Sequence, residues 1–308
     1  MLARYLVTGG AGFIGSHLCD ALVARGDDVV ILDNLSSGNL ANIAQLSGKI
    51  EVIEGDDVSG GLDGIEGLFD AVVHLAALIS GRDSLLEPDV YVRQNIGGLL
   101  RVIDFAVARA VPRIVFASSS TVYGNNDAPA LSETIVPAPL SVYAGTKLSG
   151  EHLLAMYGAM HGFSHCSLRF FNVYGPRQAV DHPYANVTCK FSHAAANGLP
   201  IKLYGDGDQS RDFVYVDDVV QSLLLVLSDS TSSLYNIGTG VQTSINMLIS
   251  SLEAISGKTL EIDRQGEWPN DIRRISADLQ RAERELGYRP SVGIADGLAR
   301  TVAFFTTA

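Results

Sequence analysis

The residues with the clearest chemical potential lie between Ser118 and Lys147. Tyr143 and Lys147 are four residues apart at the start of a helix-forming run, so a helix would place both side chains on one face. An ammonium group beside a phenol favours the phenolate and lowers the pKa of a tyrosine from its usual value of about 10. The spacing therefore predicts that Tyr143 is a general base and that Lys147 lowers its pKa.

A serine cluster follows the apolar strand pattern of residues 113–117 and precedes this pair. It consists of Ser118, Ser119 and Ser120, and its spacing favours Ser119 as the hydroxyl that hydrogen-bonds a substrate oxygen. A tyrosine and a lysine at helical spacing also occur on ordinary helix surfaces. The chemical interpretation therefore depends on the elements that surround the motif.

A glycine-rich turn lies between the first strand pattern, residues 5–8, and a helix pattern at residues 16–25. Gly10, Gly12 and Gly15 fit G-x-G-x-x-G in the order strand, turn, helix, which is the context that a dinucleotide site requires. A tight turn, a close backbone approach to pyrophosphate and close helix packing each exclude a Cβ atom, and the helix N-terminus offers free N–H groups. The turn predicts a dinucleotide cofactor.

An aspartate at the end of the second strand pattern indicates which dinucleotide is bound. Asp33 follows residues 29–32, where a carboxylate accepts bonds from both ribose hydroxyls and repels a 2′-phosphate, so NAD is favoured over NADP. Asp33 capping a turn with Asn34 is the alternative. Asp56 and Asp57 follow the third strand pattern and are placed to meet the adenine, although acidic residues there are often turn formers.

Alternating strand and helix patterns predict an α/β fold with a doubly wound parallel sheet, whose ligands bind at the carboxyl ends of the strands. Residues 71–77 form an apolar run typical of a buried strand, and His74 inside it is interpreted as a core histidine. We expect an NAD-binding Rossmann domain at residues 1–171, to which residues 212–236 return. Residues 172–211 and 237–308 are predicted to form a smaller C-terminal lobe.

Composition narrows the classes of partner. The net charge of −12 argues against nucleic acid or an anionic membrane as the main partner. The three cysteines have no metal-binding or disulfide spacing, which predicts buried thiols and no metal site. The N-terminus leads into a strand without a signal-peptide pattern, and no apolar run approaches the roughly 18 residues of a spanning helix. We therefore expect a cytoplasmic protein.

Seven motifs in this order resemble those of the extended short-chain dehydrogenase/reductases, and most of all the UDP-glucose and UDP-N-acetylglucosamine 4-epimerases. The motifs are residues 8–15, Asp33-Asn34-Leu35, Leu75-Ala76-Ala77, residues 118–124, Tyr143-x-x-x-Lys147, residues 172–177 and residues 211–218. The resemblance implies a tightly bound NAD and a transient 4-keto sugar. It also implies that Tyr143 removes the proton of the 4-hydroxyl group, that Lys147 holds the nicotinamide ribose, and that Ser119 bonds the 4-oxygen.

The resemblance also assigns binding residues. For NAD they are Gly9, Gly12, Phe13, Ile14, Asp33, Asn34, Ser37, Gly38, Asp56, Asp57, Leu75, Ala76, Ala77, Asn95, Ser118, Tyr143 and Lys147. For the UDP-sugar, in the C-terminal lobe and beside the serine cluster, they are Ser80, Arg82, Ser119, Ser120, Tyr143, Asn172, Asn186, Val187, Tyr204, Arg211, Asp271, Arg274 and Ile275. A surface pair of Arg211 with Asp212 or Asp217 is the alternative for the phosphate-binding arginine.

Two positions depart from the family pattern. Trp268 stands where an arginine normally contacts phosphate, so Arg274 and Arg264 are the candidates for that contact. Ile275 replaces the bulky tyrosine of glucose-restricted members, which predicts space for an N-acetyl group at C2.

Alternative functions within the family remain open at this stage. One is a 4-epimerase or decarboxylase of UDP-glucuronate, for which Arg82 or Arg177 could hold the carboxylate. A sugar-nucleotide 4,6-dehydratase is less favoured, because Ser120 and Thr121 occupy the positions of its acid and base. Broad apolar faces at residues 88–108 and 149–159 predict a homodimer, with burial inside one subunit as the alternative.

Overall fold

The computed structural model describes residues 2–55, 60–180, 185–267 and 273–307. Contacts between Cα atoms group the chain into two compact units. Unit 1 comprises residues 1–124, 135–170 and 220–235, and unit 2 comprises residues 125–134, 171–219 and 236–308.

Unit 1 is built on a seven-stranded sheet in the order β11-β6-β5-β4-β1-β2-β3. These strands are β1 Arg4–Thr8, β2 Asp28–Asp33, β3 Glu51–Glu54, β4 Ala71–His74, β5 Arg113–Ser119, β6 Ser164–Phe170 and β11 Ser233–Ile237. The pairs from β6 through β3 are parallel. The central strands are apolar and buried on both faces, as a sheet covered by helices requires. The predicted doubly wound sheet is confirmed.

The register of the sheet brings the polar strand ends to one edge. Thr8 is paired with Leu32 on one side and with His74 on the other, and His74 is paired with Phe116. Asp33 and Ser119 therefore lie just beyond these pairs, at the carboxyl ends of β2 and β5. This is the edge at which ligands of such sheets bind.

Helices cover this sheet. They are α1 Phe13–Ala24, α2 Asp83–Leu86, α3 Pro88–Tyr91, α4 Gly98–Ala108 and α5 Val142–His161, with α7 Val216–Leu227 joining the units in sequence. Short 3₁₀ segments occupy Leu40–Leu46 and Ser120–Tyr123. Residues 88–108 are helical throughout, and a π-helical turn, Val92–Gly97, joins α3 to α4. No helix in the described part of the chain combines the length and apolarity that crossing a membrane requires.

The described residues of unit 2 form three two-stranded sheets and four further helices. The strands are β7 Asn172–Tyr174, β8 Ile201–Tyr204, β9 Ser210–Arg211, β10 Phe213–Tyr215, β12 Thr243–Ser244 and β13 Ile262–Gln265. The pairs β7–β10 and β8–β13 are parallel, whereas β9–β12 is antiparallel. The helices are α6 Val187–Asn197, α8 Ile245–Ser256, α9 Gln280–Leu286 and α10 Ile294–Thr307, of which α6, α8 and α10 pack together.

Candidate active site

Helix α5 carries the predicted base and its lysine at its N-terminal end. Ser141 is the N-cap residue, and its Oγ accepts a bond of 3.1 Å from the Ala144 N–H group. Tyr143 and Lys147 lie one turn apart and are only 9% and 4% exposed. The Lys147 Nζ atom is 5.9 Å from the centroid of the Tyr143 ring. The structure thus brings the two side chains together on one buried face, as their spacing predicts.

The pKa of Tyr143 is determined by the surroundings of its ring. Burial raises it to about 12, and a hydrogen bond with Ser119 acts in the opposite direction. The Lys147 ammonium lies over the Phe116 ring, 4.9 Å from its centroid, and thereby makes a cation–π contact with this second ring. The predicted effect of Lys147 on the pKa of Tyr143 stays a prediction.

Ser119 is held at the junction between β5 and the 3₁₀ turn that begins at Ser120. Its Oγ atom is the N-cap of that turn and accepts a bond of 3.2 Å from the Thr121 N–H group. The Thr121 hydroxyl donates a second bond of 2.9 Å to the same oxygen. Ser119 and its neighbour Ser120 are both buried. The hydroxyl that hydrogen-bonds Tyr143 is thus fixed by the backbone and by Thr121.

A buried ion pair fastens α5 to the sheet. Glu151, one turn beyond Lys147, accepts bonds of 2.9 and 2.7 Å from the Arg169 Nε and Nη2 atoms, and Arg169 pairs with Ser118 in the register of β5 and β6. Ser118 donates to Glu151 Oε1 at 2.5 Å. The predicted cofactor-binding role of Ser118 stays a prediction, and the observed role of this hydroxyl is to anchor the carboxylate.

The backbone of the glycine-rich turn, residues 9–15, encloses a space that side chains would fill. We call this space the glycine cradle. Gly9 has a φ of +73°, and a Cβ atom there would lie 2.8 Å from the Ala76 N atom; one on Gly15 would overlap the Gly9 carbonyl oxygen. Helix α1 begins at Phe13, and its N-cap residue, Gly12, has no side chain to occupy the first N–H groups, which include those of Phe13 and Ile14. The residues present therefore fit the diphosphate of a dinucleotide.

The carboxylate of Asp33 organises the neighbouring turn. Its Oδ2 atom accepts a bond from the Ala11 N–H group and its Oδ1 atom accepts one from the Leu35 N–H group, both at 2.9 Å. A Cβ atom on Gly38 would lie 2.8 Å from Oδ1. Each oxygen keeps one lone pair, so the turn-forming role and the predicted ribose contact are compatible.

The remaining predicted NAD residues are less constrained. Asn34 and Ser37 are exposed on the loop after β2, and Leu75, Ala76 and Ala77 follow β4 with partial exposure. Asp56 and Asp57 lie outside the described residues.

Asn95, in the π-helical turn, forms hydrogen bonds with two other segments of unit 1. Its amide accepts a bond of 2.8 Å from the Leu78 N–H group and donates bonds of 2.9 Å to the Leu78 carbonyl oxygen and 3.1 Å to the Thr146 hydroxyl. This ties the loop after β4 to α5. Ser80, in the same loop, accepts a bond of 3.0 Å from the Asp83 N–H group at the start of α2, while Arg82 is exposed. The structure thus gives Asn95 and Ser80 supporting roles, and their predicted ligand contacts stay predictions.

In unit 2, Asp212 forms hydrogen bonds with several separate segments of the chain, one of which contains the predicted substrate residue Asn172. Its fully buried carboxylate accepts bonds of 2.7 to 3.0 Å from the N–H groups of Thr239, Gly240 and Ala277. Its carbonyl oxygen accepts a bond of 3.0 Å from the Asn172 N–H group. The alternative in which Arg211 forms a surface pair with Asp212 is therefore wrong, because Asp212 is buried and bonded elsewhere. Arg211 precedes Asp212 in sequence, and its Nη1 atom donates a hydrogen bond to the Ser210 carbonyl oxygen.

The other predicted substrate residues in unit 2 have varied surroundings. Asn186 caps α6, since its Oδ1 atom accepts a bond of 2.9 Å from the Cys189 N–H group and its Nδ2 atom donates to Val173. Ile275 is buried. Those that reach the surface are Val187, which is partly exposed, Tyr204, which is exposed on β8, and Arg274, which lines a cleft of about 630 Å³. Asp271 and Trp268 lie outside the described residues.

Four residues with clear supporting roles were not identified from the sequence: Thr121, Glu151, Arg169 and Asp212. A signal existed for Glu151, which stands four residues after Lys147 and eight after Tyr143 and so shares their helix face. His74, interpreted from the sequence as a core histidine, is buried and bonded to the Thr8 hydroxyl at 2.7 Å. Burial lowers its pKa to about 3, and the charge of Lys147 adds to the effect.

Comparison with known proteins assigns the chain to a family. A model of the NAD dependent epimerase/dehydratase family matches residues 5–238. The chain is 39% identical to a UDP-glucose 4-epimerase of Mycolicibacterium smegmatis over 98% of both chains. It resembles the structure of a Thermotoga maritima UDP-glucose 4-epimerase with UDP-glucose, at 35% identity, a TM-score of 0.94 and 99% coverage of both chains.

A UDP-N-acetylglucosamine 4-epimerase from Methanobrevibacter ruminantium, solved with UDP-N-acetylmuramic acid, is 34% identical, with a TM-score of 0.95 and 99% coverage of both chains. Relatives named as UDP-glucuronate 4-epimerases and a dTDP-glucose 4,6-dehydratase also match. The resemblance inferred from the seven motifs is confirmed: the chain belongs to the NAD dependent epimerase/dehydratase family, among the UDP-sugar 4-epimerases.

Proposed function

We propose that this protein is an NAD-dependent 4-epimerase of a UDP-hexose, acting on UDP-glucose and UDP-galactose and also on their N-acetylated counterparts. The observation that carries this is the buried set of Tyr143, Ser119 and Lys147 at the carboxyl edge of the sheet. The same edge carries the glycine cradle that fits NAD, and the chain is similar to UDP-sugar 4-epimerases.

The chain's own residues would handle the proton of the sugar 4-hydroxyl group. Tyr143 accepts this proton at its phenol oxygen, and Ser119 donates a hydrogen bond to the 4-oxygen. NAD, when bound, accepts the hydride from C4 and returns it to the opposite face of the sugar. Burial keeps Tyr143 protonated at neutral pH in this arrangement. A rotation of the flexible Lys147 side chain that brings its ammonium to the phenol oxygen would lower the pKa.

We propose separate binding roles for residues of each unit. We assign the adenosine ribose to Asp33, the pyrophosphate to the N–H groups at the start of α1, and the nicotinamide ribose to Lys147. In unit 2, Arg211 meets the UDP phosphates, where a guanidinium pairs bidentately. Asn172 and Asn186 contribute amide donors.

The choice of sugar is tested at Ile275. Isoleucine is smaller than tyrosine, so the proposed pocket admits an N-acetyl group, and Ile275→Tyr would narrow it. UDP-glucuronate is the second candidate substrate, because relatives with that activity match this chain over nearly its whole length. Arg82 is exposed in unit 1 and has the charge that such a carboxylate would need.

Proton NMR tests the reaction directly. The purified protein is incubated with UDP-glucose, UDP-N-acetylglucosamine or UDP-glucuronate without added NAD, and the anomeric and H4 signals are followed. Formation of the galacto isomer supports epimerisation with retained cofactor, and Tyr143→Phe should abolish it. If UDP-hexoses stay unchanged with NAD supplied while UDP-glucuronate reacts, the hexose assignment is wrong.

We also propose a homodimer formed through α4 and α5. Apolar side chains are exposed there, including Val107 on α4 and Met156 and Met160 on α5, the last of which is 67% exposed. A second copy would bury them. Light scattering on wild-type protein should give twice the mass of the chain, and Met160→Glu should reduce it; a wild-type monomer contradicts the proposal. The cytoplasmic location stays a prediction.

A further inference from the structure

The hydrogen-bonding capacity of the Ser119 hydroxyl is fully used in the structure. A serine hydroxyl has two lone pairs and one proton. The Thr121 N–H group donates to Ser119 Oγ at 3.2 Å, and the Thr121 hydroxyl donates at 2.9 Å. These two donors occupy both acceptor positions. The Ser119 proton therefore points in the one remaining tetrahedral direction around Oγ.

That remaining bond involves Tyr143, because Ser119 is its side-chain hydrogen-bond partner. With both lone pairs of Ser119 occupied, the serine must donate and the phenol oxygen must accept. Without the Thr121 hydroxyl, the Ser119 proton could also occupy the vacated direction. We therefore infer that Thr121 is a positioning residue, which fixes Ser119 as a donor toward Tyr143 and toward the substrate oxygen that would share this point.

Two observations distinguish the proposed positioning role of the Thr121 hydroxyl from a role in folding of the turn. Its N–H group alone satisfies the N-cap interaction of the 3₁₀ turn. The side chain is exposed, so its hydroxyl could be satisfied by water. The bond from this hydroxyl to Ser119 therefore adds nothing that folding of the turn requires. Its effect is on the direction of one proton.

Removing the hydroxyl has a calculable effect. In Thr121→Val the N–H donor keeps one direction, and the Ser119 proton is shared between the two staggered directions that remain. Donation to Tyr143 then falls about twofold, which raises the apparent pKa of the tyrosine by about 0.3 pH unit, the logarithm of two. In Thr121→Ser the hydroxyl is retained, so the wild-type orientation should be restored.

The chain supplies a matched control. Ser132 and Thr134 form the same kind of hydroxyl pair, two residues apart at 2.8 Å, on an exposed loop of unit 2. Thr134→Val removes an equivalent hydroxyl without touching Ser119. It should leave both measurements described below at their wild-type values.

Two measurements test the inference, which rests on the proposed function for only the first of them. The first is the pH profile of kcat for the UDP-sugar that reacts. The acid limb should move up by about 0.3 pH unit or more in Thr121→Val, with kcat on this limb falling at least about twofold, and return in Thr121→Ser. The second needs no turnover: the ¹³Cζ NMR signal of Tyr143 in tyrosine-labelled protein, assigned by its loss in Tyr143→Phe.

The Tyr143 signal should move in Thr121→Val toward its position in Ser119→Ala and return in Thr121→Ser. The inference is overturned if Thr121→Val leaves both the profile and the signal unchanged, or if Thr121→Ser behaves like Thr121→Val. If the wild-type protein epimerises no UDP-sugar but the signal shifts in the expected order, the proposed function is wrong and the positioning role of Thr121 is supported.

Discussion

The ion pair between Glu151 and Arg169 should be the most sensitive electrostatic contact in unit 1. Both side chains are at least nine-tenths buried, and the carboxylate receives two bonds from the guanidinium and one from Ser118. Glu151→Gln keeps the shape of the side chain but leaves the Arg169 charge buried without a counter-charge. Removing one partner of such a pair typically costs about 3–5 kcal/mol. We expect a loss in that range for Glu151→Gln.

A double-mutant cycle isolates the interaction between the two charges. Arg169→Met keeps an unbranched side chain and leaves the Glu151 carboxylate with Ser118 as a remaining partner. In the double variant neither charge is buried, so its loss should be smaller than the sum of the single losses by about 2 kcal/mol or more. The assay is urea unfolding followed by circular dichroism, with the slope against urea compared between variants to confirm that the same transition is measured.

The exposed pair of Arg281 and Glu285 on α9 provides the reference. These side chains are four residues apart, 3.1 Å between charged atoms, and more than a third exposed. The same cycle there should give about 0.5 kcal/mol or less, because solvent screens the pair. A coupling energy at Glu151 and Arg169 no larger than this reference would refute the reasoning that burial makes the pair strong.

Three further predictions concern the described residues. His74 stays neutral in the folded protein down to its pKa of about 3, whereas the unfolded chain binds a proton below about 6.5, so stability falls as pH drops through this window by up to about 1.4 kcal/mol per unit. Between pH 4.5 and 7, the free energy of unfolding measured in urea should change less with pH in His74→Asn than in the wild type. In His152→Asn, an exposed control, it should change as in the wild type. An unchanged pH dependence in His74→Asn contradicts the prediction. On α5, Gly145→Ala should raise thermal stability by up to about 1 kcal/mol, since a Cβ atom there meets nothing within 4 Å, whereas Gly150→Ala should lower it by about 1–3 kcal/mol because its Cβ atom would lie 2.6 Å from a buried ring. Asp212→Asn should cost about 2 kcal/mol in urea unfolding, because an amide N–H group would face backbone donors, and an unchanged midpoint would contradict this.

The architecture could be predicted because its signals are local. Buried parallel strands are continuous apolar runs, such as residues 71–74, and the turn from Gly9 to Gly15 excludes side chains at fixed positions. The shared face of Tyr143 and Lys147 follows from helical periodicity alone. Each of these features is set by residues that are close together in sequence.

Features that depend on tertiary contacts could not be predicted. The pKa of Tyr143 depends on how deeply the ring is buried and on its hydrogen bond with Ser119, which lies on another element. Glutamate is rarely buried without a partner, and the partner of Glu151 is Arg169 on another element. Asp212 follows Arg211 in sequence, which suggested a local pair, yet its carboxylate bonds N–H groups more than 25 residues away.

The π-helical turn at Val92–Gly97 makes the spacing of this region intolerant of length change. A π turn holds one residue more than a regular turn, and this extra residue is part of what places Asn95 against Leu78 and Thr146. A single deletion between α3 and α4 would allow one uninterrupted α-helix, and would rotate one side of it by about 100° relative to the other. Asn95 would then turn away from the loop after β4 and from α5. Sequence variation in this segment is thus constrained in residue number as well as in residue type.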